Sequence, residues 1–380
     1  MNKEIIRKNK LKELKEALKD FPIASILGPR QCGKTTLAHQ YIRELKIKKY
    51  KFYDLENPLD FQILRNPLLE LENKKELIVI DEIQEDPDLF PVLRVLADKG
   101  QKFIILGSAS PKLLKLSSES LAGRVYHLEL SGFSLDNCKK TERDKLWIRG
   151  GFPLAFLAKD DRKSLSWREE FIKTFLERDI PQLGIDIPAR ALRRFWMMLA
   201  HYHGQIFKAS EIAKSLDCSD KTARSYLDIL TGTYMIRELQ PWFYNTKKRL
   251  VKRPKIYFRD SGIFHALMNI SSEAKLKSNP KLGASWEGFA LEETIKAFKL
   301  AHEECFFWNL HSGAELDLVF MKNSKLIGCE FKYSDAPKLE KSMLTALEEL
   351  DLEKIYVIYP GKREYALHER VAAKPLGEVG

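Results

Sequence analysis

Cysteine is scarce in this chain of 380 residues. Its five cysteines, Cys32, Cys138, Cys218, Cys305 and Cys329, are scattered, odd in number and never spaced as C-x-x-C. That pattern argues against a disulfide framework or a thiolate zinc site and for a reducing cytosol. Long apolar runs are missing too. The strongest, Leu77–Ile80 and Phe103–Leu106, fall far short of the ~20 residues of a membrane-spanning helix. The N-terminal Met1-Asn-Lys-Glu-Ile-Ile-Arg-Lys-Asn-Lys has basic residues but no apolar stretch after them, which argues against a secretory signal. There is no internal repeat and no low-complexity segment. The expectation is a cytoplasmic protein without a membrane partner. What is present is a core-forming composition, 44% hydrophobic and 31% charged, which excludes disorder throughout. At ~100–200 residues per domain the length suggests two or three domains.

The net charge of +11 is unevenly placed. Residues 191–260 carry 14 Lys/Arg and 6 Asp/Glu, a surplus of +8, so the rest of the chain is nearly neutral at +3. The densest stretch is Lys247-Lys-Arg-Leu-Val-Lys-Arg-Pro-Lys255, beside Trp242, Phe243 and Tyr244. A surplus concentrated in this way points to an acidic partner rather than to solubility alone.

Residues 4–20 read as a helix with Ile6, Leu11, Leu14 and Leu18 roughly on one face. Between Ile23 and Leu130 short apolar strands alternate with helical stretches, the pattern of a parallel sheet covered on both faces. Gly28-Pro-Arg-Gln-Cys-Gly-Lys-Thr35 is a complete G-x-x-x-x-G-K-[ST] loop that follows a strand and opens a helix. In that context Gly28, Pro29, Arg30, Gln31, Cys32, Gly33, Lys34, Thr35 and Thr36 form a phosphate-binding loop for ATP, with the helix N-terminus behind it. Lys34 suits the β and γ phosphates and Thr35 suits Mg²⁺. The strand Leu77–Ile80 runs into Asp81, a further Mg²⁺ ligand, and Glu82, placed to activate water. Ser108, at the end of the next strand, is suited to orient that water or touch the γ-phosphate.

The order of these parts resembles AAA+ ATPases over residues 1 to about 135. The resemblance implies Ser108 as a sensor and Arg124, in Leu121-Ala-Gly-Arg124, as an arginine finger acting on a neighbouring subunit of a homo-oligomer. The alternative for Arg124 is a surface arginine favoured by a helix C-terminus. Farther along, residues 208–216 and 221–230 read as two short helices with Ser210 as a cap. They resemble a winged helix-turn-helix, with Tyr234–Tyr244 and the basic run as the wing. That implies DNA contacts from Lys221, Thr222 and Arg224 on the second helix and from Lys247, Lys248, Arg249, Lys252 and Arg253 in the wing. A winged helix used for protein contact is the alternative.

The last part reads helix, three strands, helix, strand, ending in a loose tail from Ala372. Glu287 opens the helix Ser285–Leu300. A hairpin turn at Asn323–Lys325 sets Asp317 opposite Glu330, and Glu330 and Lys332 share a strand face. This constellation resembles the PD-(D/E)xK nuclease fold, with Leu316 where the family has proline. It implies a second Mg²⁺ site from Glu287, Asp317, Glu330 and Lys332. A cross-strand Glu–Lys pair beside an unrelated aspartate is the alternative, and a nuclease fold that binds DNA without cutting is a third.

Taken together, the α/β chain resembles a prokaryotic family of AAA-type ATPases with a C-terminal domain related to PD-(D/E)xK nucleases. Leu27–Leu37, Val79-Ile-Asp-Glu-Ile-Gln84, Gly150-Gly-Phe-Pro153 and Phe307–Val319 carry the resemblance. Cys32 stands where valine is commoner. The expected domains are an ATP-binding domain (1–139), a helical lid (140–205), a winged helix (206–260) and a restriction-endonuclease-like αβββαβ domain (261–380). The expected functions are a DNA-dependent ATPase acting on duplex or branched DNA, a nucleotide-gated switch without DNA, or an ATP-gated nuclease.

Overall fold

A computed structural model describes residues 4–72, 74–108, 111–242, 253–310 and 313–379. The chain divides into two compact units, one of residues 1–133 with 232–234, the other of 134–231 with 235–380.

The first unit is built on five parallel strands in the order β2-β3-β4-β1-β5. They are β1 (Ile23–Gly28), β2 (Tyr50–Asp54), β3 (Leu77–Asp81), β4 (Phe103–Ser108) and β5 (Val125–Glu129). β1 and β4 are buried along their whole length. They read as continuous apolar runs because both faces of a parallel sheet are covered. The helix Leu89–Asp98 buries Leu89, Phe90, Leu93, Leu96 and Ala97, one stripe of a 3.6-residue period. These residues join Ile78, Ile80, Phe103 and Ile105 in one core. Gly28 pairs with Ser108 at the C-terminal ends of β1 and β4, and Asp81 ends β3. The sheet therefore delivers the loop glycine, the acidic pair and the serine to one edge, where open α/β sheets bind ligands. The N-terminal helix begins at Lys8, later than its apolar pattern suggests. Arg7 is pinned outside it, donating to the carbonyls of Cys32 (2.6 Å) and Ser131 (2.7 Å).

The second unit carries a nine-stranded sheet in the order β13-β14-β12-β11-β10-β9-β7-β8-β6. Its strands are β6 (Gln205–Ile206), β7 (Ile236–Pro241), β8 (Lys255–Phe258), β9 (Phe306–Asn309), β10 (Glu315–Lys322), β11 (Lys325–Phe331), β12 (Lys354–Tyr359), β13 (Tyr365–His368) and β14 (Val371–Pro375). Parallel pairing of β7 with β9, Gln240 with Phe306, makes the middle and C-terminal segments share one sheet. The helices Ala209–Leu216 and Asp220–Gly232 form as the sequence suggests. The first is entered through Lys208, so Ser210 lies inside it and caps nothing. The expected loose tail is instead ordered: Val371–Pro375 is a strand between β12 and β13, with Val371 and Ala373 fully buried. Its run of small residues, covered on both sides, lacks the alternation that marks a half-exposed strand.

The helix Leu282–Phe298 is buried almost all round. It starts a turn before the expected Ser285 and so puts Glu287 in its second turn. The Gly150-Gly-Phe-Pro153 motif also acquires a structural reason. At Gly150, φ is +76° and an added Cβ would lie 2.1 Å from an Asp260 carboxylate oxygen. That same carboxylate accepts from the Gly151 and Ile263 amides, capping the helix Ser261–Leu267.

Candidate functional site

In the first unit the turn from β1 into the helix Lys34–Glu44 is made by two left-handed residues, Gln31 (φ +61°) and Gly33 (φ +97°). An added Cβ at Gly28 would meet the Leu130 carbonyl oxygen at 2.0 Å, so that glycine is required by the passing chain. Cys32 is fully buried, donates to Leu130 O, and burial pushes its thiol up, which makes it a packing residue. Lys34 is buried and folds back to donate to Pro29 O (3.1 Å) and Gly28 O (3.4 Å). Pro29 is buried, Thr35 and Thr36 are exposed, and Arg30 pairs with Glu56 at 2.8 Å.

Thr35 Oγ1 donates to Asp81 Oδ2 at 2.6 Å, and Asp81 Oδ1 accepts from the Glu82 amide. Burial raises the Asp81 carboxyl above its ordinary value, against the pull of the Thr35 hydrogen bond. Glu82 sits in the left-handed region (φ +53°), a rare conformation for a non-glycine residue. Gln84, which sequence reasoning missed, donates to Glu82 Oε2 and accepts from the Ser108 amide at 3.0 Å. It ties the acidic pair to the end of β4. Among the described residues Ser108 Oγ is buried without a partner. Arg124 is not brought to this edge: it precedes Val125, which pairs with Ile23 at the other end of β1. There it forms a two-pronged pair with Asp98, at 2.6 and 3.0 Å.

The second unit brings Glu287, Asp317, Glu330 and Lys332 together. Antiparallel pairing of Leu318 with Cys329 places Asp317 opposite Glu330 through a hairpin turn at Asn323–Ser324. Asp317 Oδ2 accepts from the Phe331 amide at 3.0 Å. Lys332 pairs with Glu330 (3.0 Å) and with Glu340 (3.1 Å). Three residues not singled out from the sequence join them. Lys255, the last member of the basic run, turns inward on β8, and its Nζ lies 3.2 Å from Glu315, 3.4 Å from Asp317 and 3.8 Å from Glu287. Two positions on, the Tyr257 hydroxyl donates to Glu287 Oε1 at 2.6 Å. Burial, then the charge of Asp317, pushes Glu287 up to about 8, and burial raises Asp317 and Glu330 as well. Burial works against the charge on Lys255, yet Glu287, Asp317 and Glu315 together hold its pKa well above the ordinary value. Among the described residues no group of three or more His, Cys, Asp or Glu side chains is arranged to hold a metal ion.

Of the proposed DNA-contact residues, Lys221 is exposed and Thr222 is tied to Ser219 in the turn before the helix. Arg224 is engaged by Asp228 and Glu238 at 2.6 and 2.7 Å. Arg253 is exposed, whereas Lys247, Lys248, Arg249 and Lys252 lie outside the described residues. No described helix is long and apolar enough to cross a membrane.

Residues 20–138 match the family described as AAA domain. Residues 140–274 and 282–379 match two domains of unknown function, DUF8612 and DUF4143. Among solved structures, the Walker-type ATPase PABY2304 of Pyrococcus abyssi is similar with a TM-score of 0.48 and 15% identity, over 70% of this chain and 96% of that one. A RuvB mutant of Thermotoga maritima is similar with a TM-score of 0.32 and 20% identity, over 62% of this chain and 90% of that one. Uncharacterized protein Rv2008c of Mycobacterium tuberculosis and uncharacterized protein Mb2031c of Mycobacterium bovis are each 46% identical over 378 residues, 99% of this chain and 85% of each relative. That identity makes the chain a member of the same family as these two mycobacterial proteins, and its residues 20–138 match the AAA domain.

Proposed function

We propose that the protein hydrolyses ATP and couples the reaction to work on DNA. The observation that carries the nucleotide half is the 2.6 Å contact between Thr35 Oγ1 and Asp81 Oδ2 at the foot of the loop. Two hard oxygens already side by side, with the orphaned Ser108 hydroxyl buried nearby on β4, fit Mg²⁺. Bound there with the nucleotide, Mg²⁺ supplies charge neutralisation at the phosphates. In this reading Lys34 exchanges two backbone carbonyls for phosphate oxygens, and the amides of the left-handed turn face the same anion. Glu82 accepts the proton of the attacking water, and Gln84 holds that carboxylate in position. Ser108 orients the water. Arg124 leaves Asp98 for the γ-phosphate of a neighbouring subunit.

The DNA half is supported by the basic character of residues 191–260, counted without Arg224, Arg237 and Lys255, which the fold pairs with carboxylates. The order helix, β6, two helices, β7, β8 supports it as well, because it resembles a winged helix. In this reading Lys221 and the wing residues Lys247, Lys248, Arg249, Lys252 and Arg253 meet phosphate. A nucleotide-gated switch that does not need DNA is the second reading, favoured by the hydrogen bond from Gln84 that restrains Glu82. ATP turnover measured against single-stranded, duplex, forked and four-way DNA at two salt concentrations separates the two. The DNA reading expects stimulated turnover and binding that weakens steeply with salt. Equal turnover with and without DNA, and no measurable binding, would leave only the switch.

A further inference from the structure

The nuclease resemblance implies Mg²⁺ among Glu287, Asp317 and Glu330, and the residues present do not fit it. The place where the acids converge is taken. Lys255 Nζ lies between Asp317, Glu315 and Glu287 at 3.4, 3.2 and 3.8 Å, on a side chain only 4% exposed. We propose that Lys255 is a tethered cation that stands in for the divalent metal and keeps this carboxylate cluster closed to Mg²⁺ and Mn²⁺.

Three further features support this assignment. Two of the acids use their second oxygen on protein donors, Asp317 Oδ2 on the Phe331 amide and Glu315 Oε2 on Asn309 Nδ2, and Glu287 Oε1 accepts from the Tyr257 hydroxyl. The cluster also approaches neutrality by itself. It sets two ammonium groups, Lys255 and Lys332, against the four carboxylates of Glu287, Glu315, Asp317 and Glu330. Lastly, β8 is anchored, because it pairs with β7 from Leu239–Lys255 to Ile236–Phe258 and with β6. The lysine is thus held by strand pairing as well as by charge. Among the described residues Glu330 Oε2 is buried without a partner, and it marks where a cation would find a first ligand once Lys255 is gone.

The test is a Mn²⁺ titration of the nucleotide-free full-length protein, read by electron paramagnetic resonance and by thermal denaturation. An Asp81→Asn background silences the phosphate-loop site. The background protein is expected to bind no Mn²⁺ at the cluster and to melt at the same temperature with and without it. Lys255→Met, which keeps the apolar stem and removes the ammonium, is expected to gain one Mn²⁺ per chain with at least a tenfold rise in affinity. Its melting temperature should fall without Mn²⁺ and recover with it, and adding Asp317→Asn should abolish both effects. Lys255→Gln serves as the second variant where the methionine variant does not fold. Mn²⁺ binding in the background protein that Asp317→Asn removes overturns the proposal. So does the absence of a Mn²⁺ response in both Lys255 variants. Neither readout involves ATP turnover, so a failed nucleotide reading would leave this result standing.

Discussion

Lys34 and Lys255 are both buried lysines near strand-borne carboxylates, yet they are held in opposite ways. Among the described residues Lys34 donates to two neutral backbone carbonyls of its own loop, and the Ser108 hydroxyl on the same sheet edge has no partner. Lys255 is enclosed by three carboxylates; the second oxygens of Asp317 and Glu315 accept from the Phe331 amide and Asn309 Nδ2, and Glu287 Oε1 also accepts from the Tyr257 hydroxyl. A hydrogen bond to a neutral carbonyl is readily traded for a charged acceptor, whereas breaking a buried ion pair strands a charge. The first arrangement is poised for an incoming anion. The second is already neutralised from within.

The largest expected effect tests whether the first site is open in the way that matters. Replacing Glu82 with glutamine keeps the shape and the hydrogen bond from Gln84 while removing the base. Turnover should fall by about 10²–10⁴-fold, the range for a general base, with nucleotide affinity retained. Single-turnover ATP hydrolysis beside a binding titration separates the two quantities. Wild-type turnover in this variant would mean that Glu82 does not take the proton.

The next effect contrasts the lysines directly. Lys255→Ala strands buried Asp317 and should cost about 3–5 kcal/mol of stability. Lys34→Ala breaks bonds from an ammonium to neutral carbonyls and should cost about 1.5–3 kcal/mol while abolishing nucleotide binding. Denaturant unfolding of both variants without nucleotide checks the difference. Equal losses would dissolve the distinction between an open and a closed lysine.

A smaller effect concerns pH. Glu287 is raised from about 4.5 to about 8, so between these values the folded protein keeps a proton that the unfolded chain has released. The contribution of Glu287 to stability is therefore fully present below about pH 4.5 and is lost as pH rises towards about 8. Unfolding free energies measured across that window should decline in the wild type, and less steeply in Glu287→Gln. Parallel curves would remove Glu287 from the set of groups that carry protons in the closed cluster.

How far the sequence disclosed these two sites follows from the distances involved. The phosphate loop and the Asp81–Glu82 pair are contiguous segments at strand ends, where local pattern and chemistry coincide. Asp317, Glu330 and Lys332 were legible because one hairpin aligns them by a two-residue period. Lys255 was read as part of a solvent-facing basic run, since nothing local distinguishes it from its neighbours. Its partner Asp317 is 62 positions away, and only the successive pairing of β8 with β7, β7 with β9 and β9 with β10 brings them together. The alternation Lys255, Tyr257 on a short apolar strand was the one available signal. Gln84 escaped for the same reason, because its contact with Ser108 spans 24 positions. β14 escaped for another: Val371-Ala-Ala-Lys-Pro375 buries small side chains and shows no period.

The same distinction reaches the basic segment and gives the smallest expected effect. Lys221 is exposed at the start of its helix and forms no ion pair among the described residues, while Arg224, one turn on, is gripped by Asp228 and by buried Glu238. If DNA is the partner, Lys221→Ala should weaken binding uniformly across sequences and reduce the salt slope by about one, with no change in unfolding midpoint. Arg224→Ala should do the reverse, lowering stability through the unpaired Glu238 and barely touching the salt slope. DNA titrations at several salt concentrations, paired with denaturation of each variant, decide between the two roles. A reduced slope for Arg224→Ala would show that a carboxylate-bound cation can still serve phosphate. Charge engagement would then fail as a rule for this segment, and the contrast between Lys34 and Lys255 would rest on burial alone.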